Sequence, residues 1–140
     1  LGTLKPNEYV IYYNDPQRAR VSVRLLGVDG RELDADPPDP CAFEGREELR
    51  DLVVDRYVRL TRNEDRSVPD RDRYKRDLRY VSPHEYEAPG LTNLQLLERG
   101  VVCTNFFSGE TLDLAAELRA AQRRAEEKNA GCWATRNFCP

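Results

Sequence analysis

Residues 20–28, Arg20-Val21-Ser22-Val23-Arg24-Leu25-Leu26-Gly27-Val28, decide how the chain is read. Polar and apolar side chains alternate at first, then the run turns wholly apolar, as in a half-buried strand that enters a core. Before it, Val10 to Tyr13 is a short β-type run, and Asn14-Asp15-Pro16 is a turn signal. The two runs predict a hairpin with a long, bent second strand, and Gly27 marks a bulge or a barrel corner. Directly after it, residues 29–40 carry Asp29, Asp34, Asp36 and Asp39 together with Pro37, Pro38 and Pro40. That composition excludes regular structure and predicts a long acidic loop, either a binding loop or a mobile one.

Helical periodicity starts at Glu44 and runs to Val53, with Leu49, Leu52 and Val53 on one side. Arg56 to Thr61 reads as a strand, Asn63 to Asp72 as a charged turn, and Tyr74 to Val81 as another strand. Asn93 to Arg99 predicts a short helix ended by Gly100, and Val101 to Phe107 an extended segment. Thr111 is a good N-cap for a helix whose stripe is Leu112, Ala115, Leu118, Ala121 and Ala125, stopped by Gly131. Short strands with interposed helices predict a mainly β, α+β fold: a five-stranded Greek-key barrel of the OB type with about three helices, as one domain over residues 1–140. A two-layer α+β sheet is the alternative.

No apolar run approaches the ~20 residues of a membrane span, and no basic start is followed by an apolar stretch. The 22 basic and 25 acidic residues give a net charge of -3 with the signs interspersed, which argues against a protein that coats long nucleic acid. It leaves room for a site that grips one phosphate. Only three of the basic residues are lysines (Lys5, Lys75, Lys128), and arginine suits bidentate phosphate contacts. The four cysteines, Cys41, Cys103, Cys132 and Cys139, include no C-x-x-C pair, and one histidine, His84, is too few for a usual zinc site. Two disulfides in a secreted or other oxidising, extracytoplasmic setting are expected, with three connectivities open. Cys132 and Cys139 bracket Trp133, so at least one of them should tie the C-terminal tail to the body.

Arg24, Asp29, Glu32 and Arg76 stand out chemically. Two arginines and two carboxylates at strand ends could meet at one barrel mouth. A carboxylate can hold a divalent cation, another can orient or deprotonate a water, and arginines can neutralise charge that develops on phosphate oxygens. That is the equipment for phosphodiester hydrolysis. In a chain with 34% charged residues, such clusters also arise freely as ordinary salt bridges.

The segment from Arg24 to Glu32 resembles the R-L-x-x-(I/V)-D-x-x-E signature of the staphylococcal nuclease (thermonuclease) family. Cys41-Ala42-Phe43-Glu44-Gly45 opens a helix where that family enters its first one. Asp72-Arg73-Tyr74-Lys75-Arg76-Asp77-Leu78-Arg79-Tyr80 resembles its D-(K/R)-Y-x-R-x-L-x-Y strand. Asn93 to Gly100 resembles its N-x-x-L-(V/L)-x-x-G helix, and Ala116 to Lys128 with Gly131-Cys132-Trp133 resembles its last helix. The blocks occur in order over nearly the whole chain.

The resemblance implies an OB-fold, Ca²⁺-dependent nuclease acting on DNA and RNA, with Mg²⁺ or Mn²⁺ as substitutes, and a monomer. Arg24 and Arg76 match the two catalytic arginines and Glu32 the water-activating glutamate. Asp29 matches a calcium-binding aspartate, and Gly30 a calcium-binding backbone oxygen. Tyr74 matches a tyrosine of the nucleotide pocket, and Phe106 falls near another aromatic there. Two departures stand out. Pro6-Asn7-Glu8-Tyr9 replaces the usual D-G-D-T, so that Glu8 aligns with the second, calcium-binding aspartate. Asp29-Gly30-Arg31-Glu32 lacks the usual proline of that turn. The altered first-strand motif supports the alternative, a catalytically impaired OB module that binds single-stranded nucleic acid or protein.

Overall fold

The structure, a computed structural model, describes residues 7–13, 21–31, 36–84, 90–135 and 138–139. In chain order the elements are β1 (Glu8–Tyr13), β2 (Val23–Leu25), β3 (Val28–Asp29), α1 (Ala42–Val53), β4 (Arg56–Thr61), β5 (Asp77–Pro83), α2 (Thr92–Glu98), β6 (Cys103–Thr104) and α3 (Ala115–Glu127). A 3₁₀ turn, Gly131–Ala134, follows. Four strands form a sheet in the order β1-β4-β5-β2, and β3 pairs with β6. β1 runs antiparallel to β4, with Tyr9 opposite Leu60. β4 runs antiparallel to β5, with Leu60 opposite Val81. β2 lies parallel to β5, with Arg24 opposite Leu78.

This is a mixed α+β fold with three helices, and among the described residues the sheet is open rather than a closed five-stranded barrel. The run predicted as one bent strand breaks at Gly27, which is buried at φ +75°, the left-handed region that glycine tolerates. A Cβ there would collide with the Leu118 side chain. Leu26 still donates its N–H to the Arg79 carbonyl at 2.9 Å, after which the chain leaves β5 and pairs with β6 instead. Residues 14–20, on which the predicted hairpin turn falls, lie outside the described residues.

The helices follow the apolar pattern. α3 buries Leu118, Ala121 and Ala125 at i, i+3 and i+7. Leu118 and Ala121 join Leu26, Leu78, Leu96, Leu97 and Val101 in the main core. The predicted N-cap at Thr111 is displaced, since α3 begins at Ala115. Residues 111–113 serve another purpose. Fully buried Asn63 donates to the Thr111 carbonyl at 2.9 Å and accepts from the Asp113 N–H at 2.9 Å. Tyr80 donates to the same Asn63 oxygen at 2.8 Å, and its phenol is pushed up to about 12, chiefly by burial. Fully buried Asn93 accepts from the Val81 N–H at 2.9 Å and donates to the Leu26 carbonyl at 2.8 Å. It thereby fixes α2 against β5 and the end of β2.

Cys41 pairs with Cys132 and Cys103 with Cys139, with Cα separations of 6.0 and 5.8 Å. Both bridges tie the C-terminal tail to the body, one at the start of α1 and one at β6. Trp133 stands edge-on to buried Phe138 at 5.4 Å. No helix among the described residues is long and apolar enough to cross a membrane.

Candidate active site

β2 and β5 lie side by side, and both arginines singled out from the sequence come from this pair. Arg24 sits on β2; Arg76 immediately precedes β5. The two line one cavity of about 390 Å³, with Arg71, Arg73, Tyr74 and Phe107 around it and Leu26, Leu78 and Leu112 among its apolar walls.

The loop that carries Tyr74 and Arg76 is organised by Asp72. Its carboxylate accepts from the N–H groups of Tyr74 and Arg76, both at 2.9 Å, and from the Arg76 Nε at 2.7 Å. Its carbonyl accepts from Lys75, at 3.0 Å, in a turn where Lys75 adopts φ +63°. Desolvation alone would raise the Asp72 carboxyl, but the hydrogen bonds from Arg76 and Tyr74 outweigh it and hold the group below the usual range. Behind the loop, Asp77 accepts from Arg71 Nε at 2.8 Å and from the Tyr9 hydroxyl at 2.5 Å. Burial, with this hydrogen bond, pushes the Tyr9 phenol up to about 12.

Tyr74 is 64% exposed, with the guanidinium groups of Arg73 and Arg76 at 4.9 and 5.4 Å from its ring centre. Phe107 is 55% exposed. Two open aromatic faces among cations suit a planar base attached to a phosphate.

Arg24 is held by Asp29 at 3.8 Å, and the Asp29 side chain is half exposed. Gly30 is exposed, with open space around its Cα. Asp29 is a hard oxygen donor at an open edge, so together with a backbone carbonyl and water it fits a hydrated Ca²⁺. β1 and β2 are opposite edges of the sheet, and Glu8 is nearly buried, accepts from Thr61 at 3.2 Å and pairs with Arg59 at 3.6 Å. The expectation that Glu8 replaces the missing aspartate therefore meets a carboxylate engaged elsewhere. Glu32 lies outside the described residues. Cys41, Glu44 and Cys132 also cluster, but the two sulfurs are bonded to each other.

Phe106, expected in the pocket, packs against the core, and the Arg119 guanidinium stands 4.2 Å from its ring centre. Its neighbour Phe107 lines the cavity instead. Sequence reasoning also passed over Asp72 as an organiser and Glu110, which reaches the same cavity. The spacing of Asp72, two residues before Tyr74 and four before Arg76, is the available signal for the first; Ser108-Gly109 as a turn is the signal for the second.

The profile of the family described as staphylococcal nuclease homologue matches residues 22–135, which takes in the arginine pair, the aromatic pocket and all three helices. The chain belongs to the staphylococcal nuclease family. A comparison with curated proteins gives no match. Members of the staphylococcal nuclease family are generally nucleases and typically depend on Ca²⁺, so nucleic acid is the substrate class that membership implies. The two disulfides are compatible with an oxidising compartment.

Proposed function

We propose that this chain is a metal-dependent phosphodiesterase that hydrolyses DNA or RNA, secreted or otherwise extracytoplasmic, and acting as a single domain and a monomer. The observation that carries the reading is the meeting of Arg24 and Arg76 in one cavity walled by exposed Tyr74 and Phe107. Arg24 and Arg76 neutralise the charge that builds on the phosphate oxygens as water adds to phosphorus. Glu32 takes the proton from that water as the bond from phosphorus to the leaving sugar oxygen breaks, the departing oxygen taking up a proton from solvent. Asp29 and the Gly30 carbonyl would hold Ca²⁺, whose chemistry there is Lewis-acid polarisation of the phosphoryl oxygen. Tyr74 and Phe107 receive the base next to the scissile phosphate, which favours single strands whose bases are unstacked.

The test is incubation of the protein with single-stranded DNA and RNA in Ca²⁺, in chelator, and in chelator followed by excess Ca²⁺, beside Glu32→Ala. The reading expects cleavage that chelator stops, that Ca²⁺ restores, and that Glu32→Ala lacks. A folded protein that binds oligonucleotide but cleaves none with Ca²⁺, Mg²⁺ or Mn²⁺ would make the chain a binding module instead.

A further inference from the structure

The cavity holds one carboxylate that the proposed chemistry does not use. Asp72 is consumed by Arg76 and the turn, and Asp29 is paired with Arg24. Glu110 lines the cavity, yet among the described residues its carboxylate makes no hydrogen bond and no ion pair. The cavity's arginines are all occupied otherwise: Arg24 with Asp29, Arg71 with Asp77, Arg76 with Asp72, and Arg73 with the Tyr74 hydroxyl. A free acceptor among bound cations is thus left facing whatever enters.

Its position relative to Phe107 is fixed by the backbone. The Glu110 N–H donates to the Phe107 carbonyl at 3.2 Å. Gly109, between them, has φ +82°, which a turn of this kind needs at its third residue. Phe107-Ser108-Gly109-Glu110 is therefore a tight turn that presents an exposed ring and a carboxylate to one cavity. A ring face holds a base by stacking, and a carboxylate reads a base edge as a pure acceptor.

We infer that Glu110 is a base-reading residue that selects guanine at the nucleotide stacked on Phe107. Guanine offers two adjacent donors, N1–H and the N2 amine, to the two oxygens of one carboxylate. Uracil and thymine present a single N–H flanked by carbonyl oxygens, which the carboxylate repels. Adenine and cytosine present an amine beside a bare acceptor nitrogen. The inference rests on the cavity being the nucleotide site.

The experiment is a calorimetric titration of the full chain, in Ca²⁺, with GMP, AMP, CMP and UMP, repeated with Glu110→Gln and Glu110→Ala, their folding checked by thermal unfolding. Removal of a negative charge also strengthens binding of every phosphate, so the readout is the GMP-to-UMP affinity ratio, from which that common effect cancels. The wild type should favour GMP about tenfold, and both variants should bring the ratio to within about twofold. A wild-type ratio near one, or a preference that survives in both folded variants, overturns the role of Glu110 while leaving the nucleotide site standing. Failure of all four nucleotides to bind overturns both.

Discussion

Asp72 is a short side chain that accepts three hydrogen bonds, which order a turn and aim a guanidinium. Asp72→Ala should leave Arg76 in place along the chain but unaimed. Because misplacement of a reacting group by about 1 Å can cost about a hundredfold, the cleavage rate should fall between tenfold and a hundredfold, with substrate affinity changed less. Single-turnover rates measured beside binding of an uncleavable oligonucleotide separate the two. Acid should act on the same residue. The folded carboxyl titrates below its ordinary value, so its contribution is complete above about pH 4 and is lost as pH falls further through the folded pKa. The amide signals of Tyr74 and Arg76 should therefore report a transition below pH 4, and a midpoint above pH 4 would contradict this. The arginines and Tyr74 were legible in the sequence because they sit in a patterned block. Phe106 and Phe107 were not separable, because Val101, Val102 and Cys103 are all buried and leave no alternation from which to count. Glu8 aligned with a metal ligand, but no single strand reveals that its cross-strand neighbours would be Arg59 and Thr61.

At the scale of elements, the site depends on β2 and β5 staying side by side, and Asn93 on α2 joins them. Asn93→Ala would leave the buried Val81 N–H and Leu26 carbonyl without partners, at about 1–3 kcal/mol each. Chemical denaturation should show a loss of about 3 kcal/mol, and Arg24 activity should fall with it; a loss under about 1 kcal/mol would contradict the proposed strut. β4 has the bounds expected of Arg56 to Thr61, whereas the strand expected from Tyr74 to Val81 begins only at Asp77, because Asp72 holds Tyr74 and Arg76 in a turn. The break in the long strand at Gly27 was not legible, because the close packing that leaves no room for a side chain there comes from Leu118, about ninety residues away in the chain. The α3 start shifted for a similar reason, since Asn63 captures Thr111 and Asp113 before the helix can use them.

Across the whole molecule, the two disulfides tie the C-terminal tail to the start of α1 and to β6, and the cysteine count foretold the bridges but not which of three pairings they would take. Replacement of Cys103 and Cys139 together by alanine should cost about 4 kcal/mol through the unfolded state, measured by urea unfolding of the oxidised protein. The loss should exceed any change in activity, because that bridge lies at β6 and not among the cavity residues. The net charge of -3 predicts grip by a few local arginines rather than by a broad basic field, hence a shallow dependence of oligonucleotide affinity on salt. The central claim is that Arg24 and Arg76 act together on one phosphate. Its most direct test is the Ca²⁺-saturated cleavage rate of a single-stranded oligonucleotide by Arg24→Ala and by Arg76→Ala, each shown to be folded by its thermal transition. Each rate should fall on the order of a hundredfold or more; a folded variant of either kind that cleaves at the wild-type rate would contradict the account.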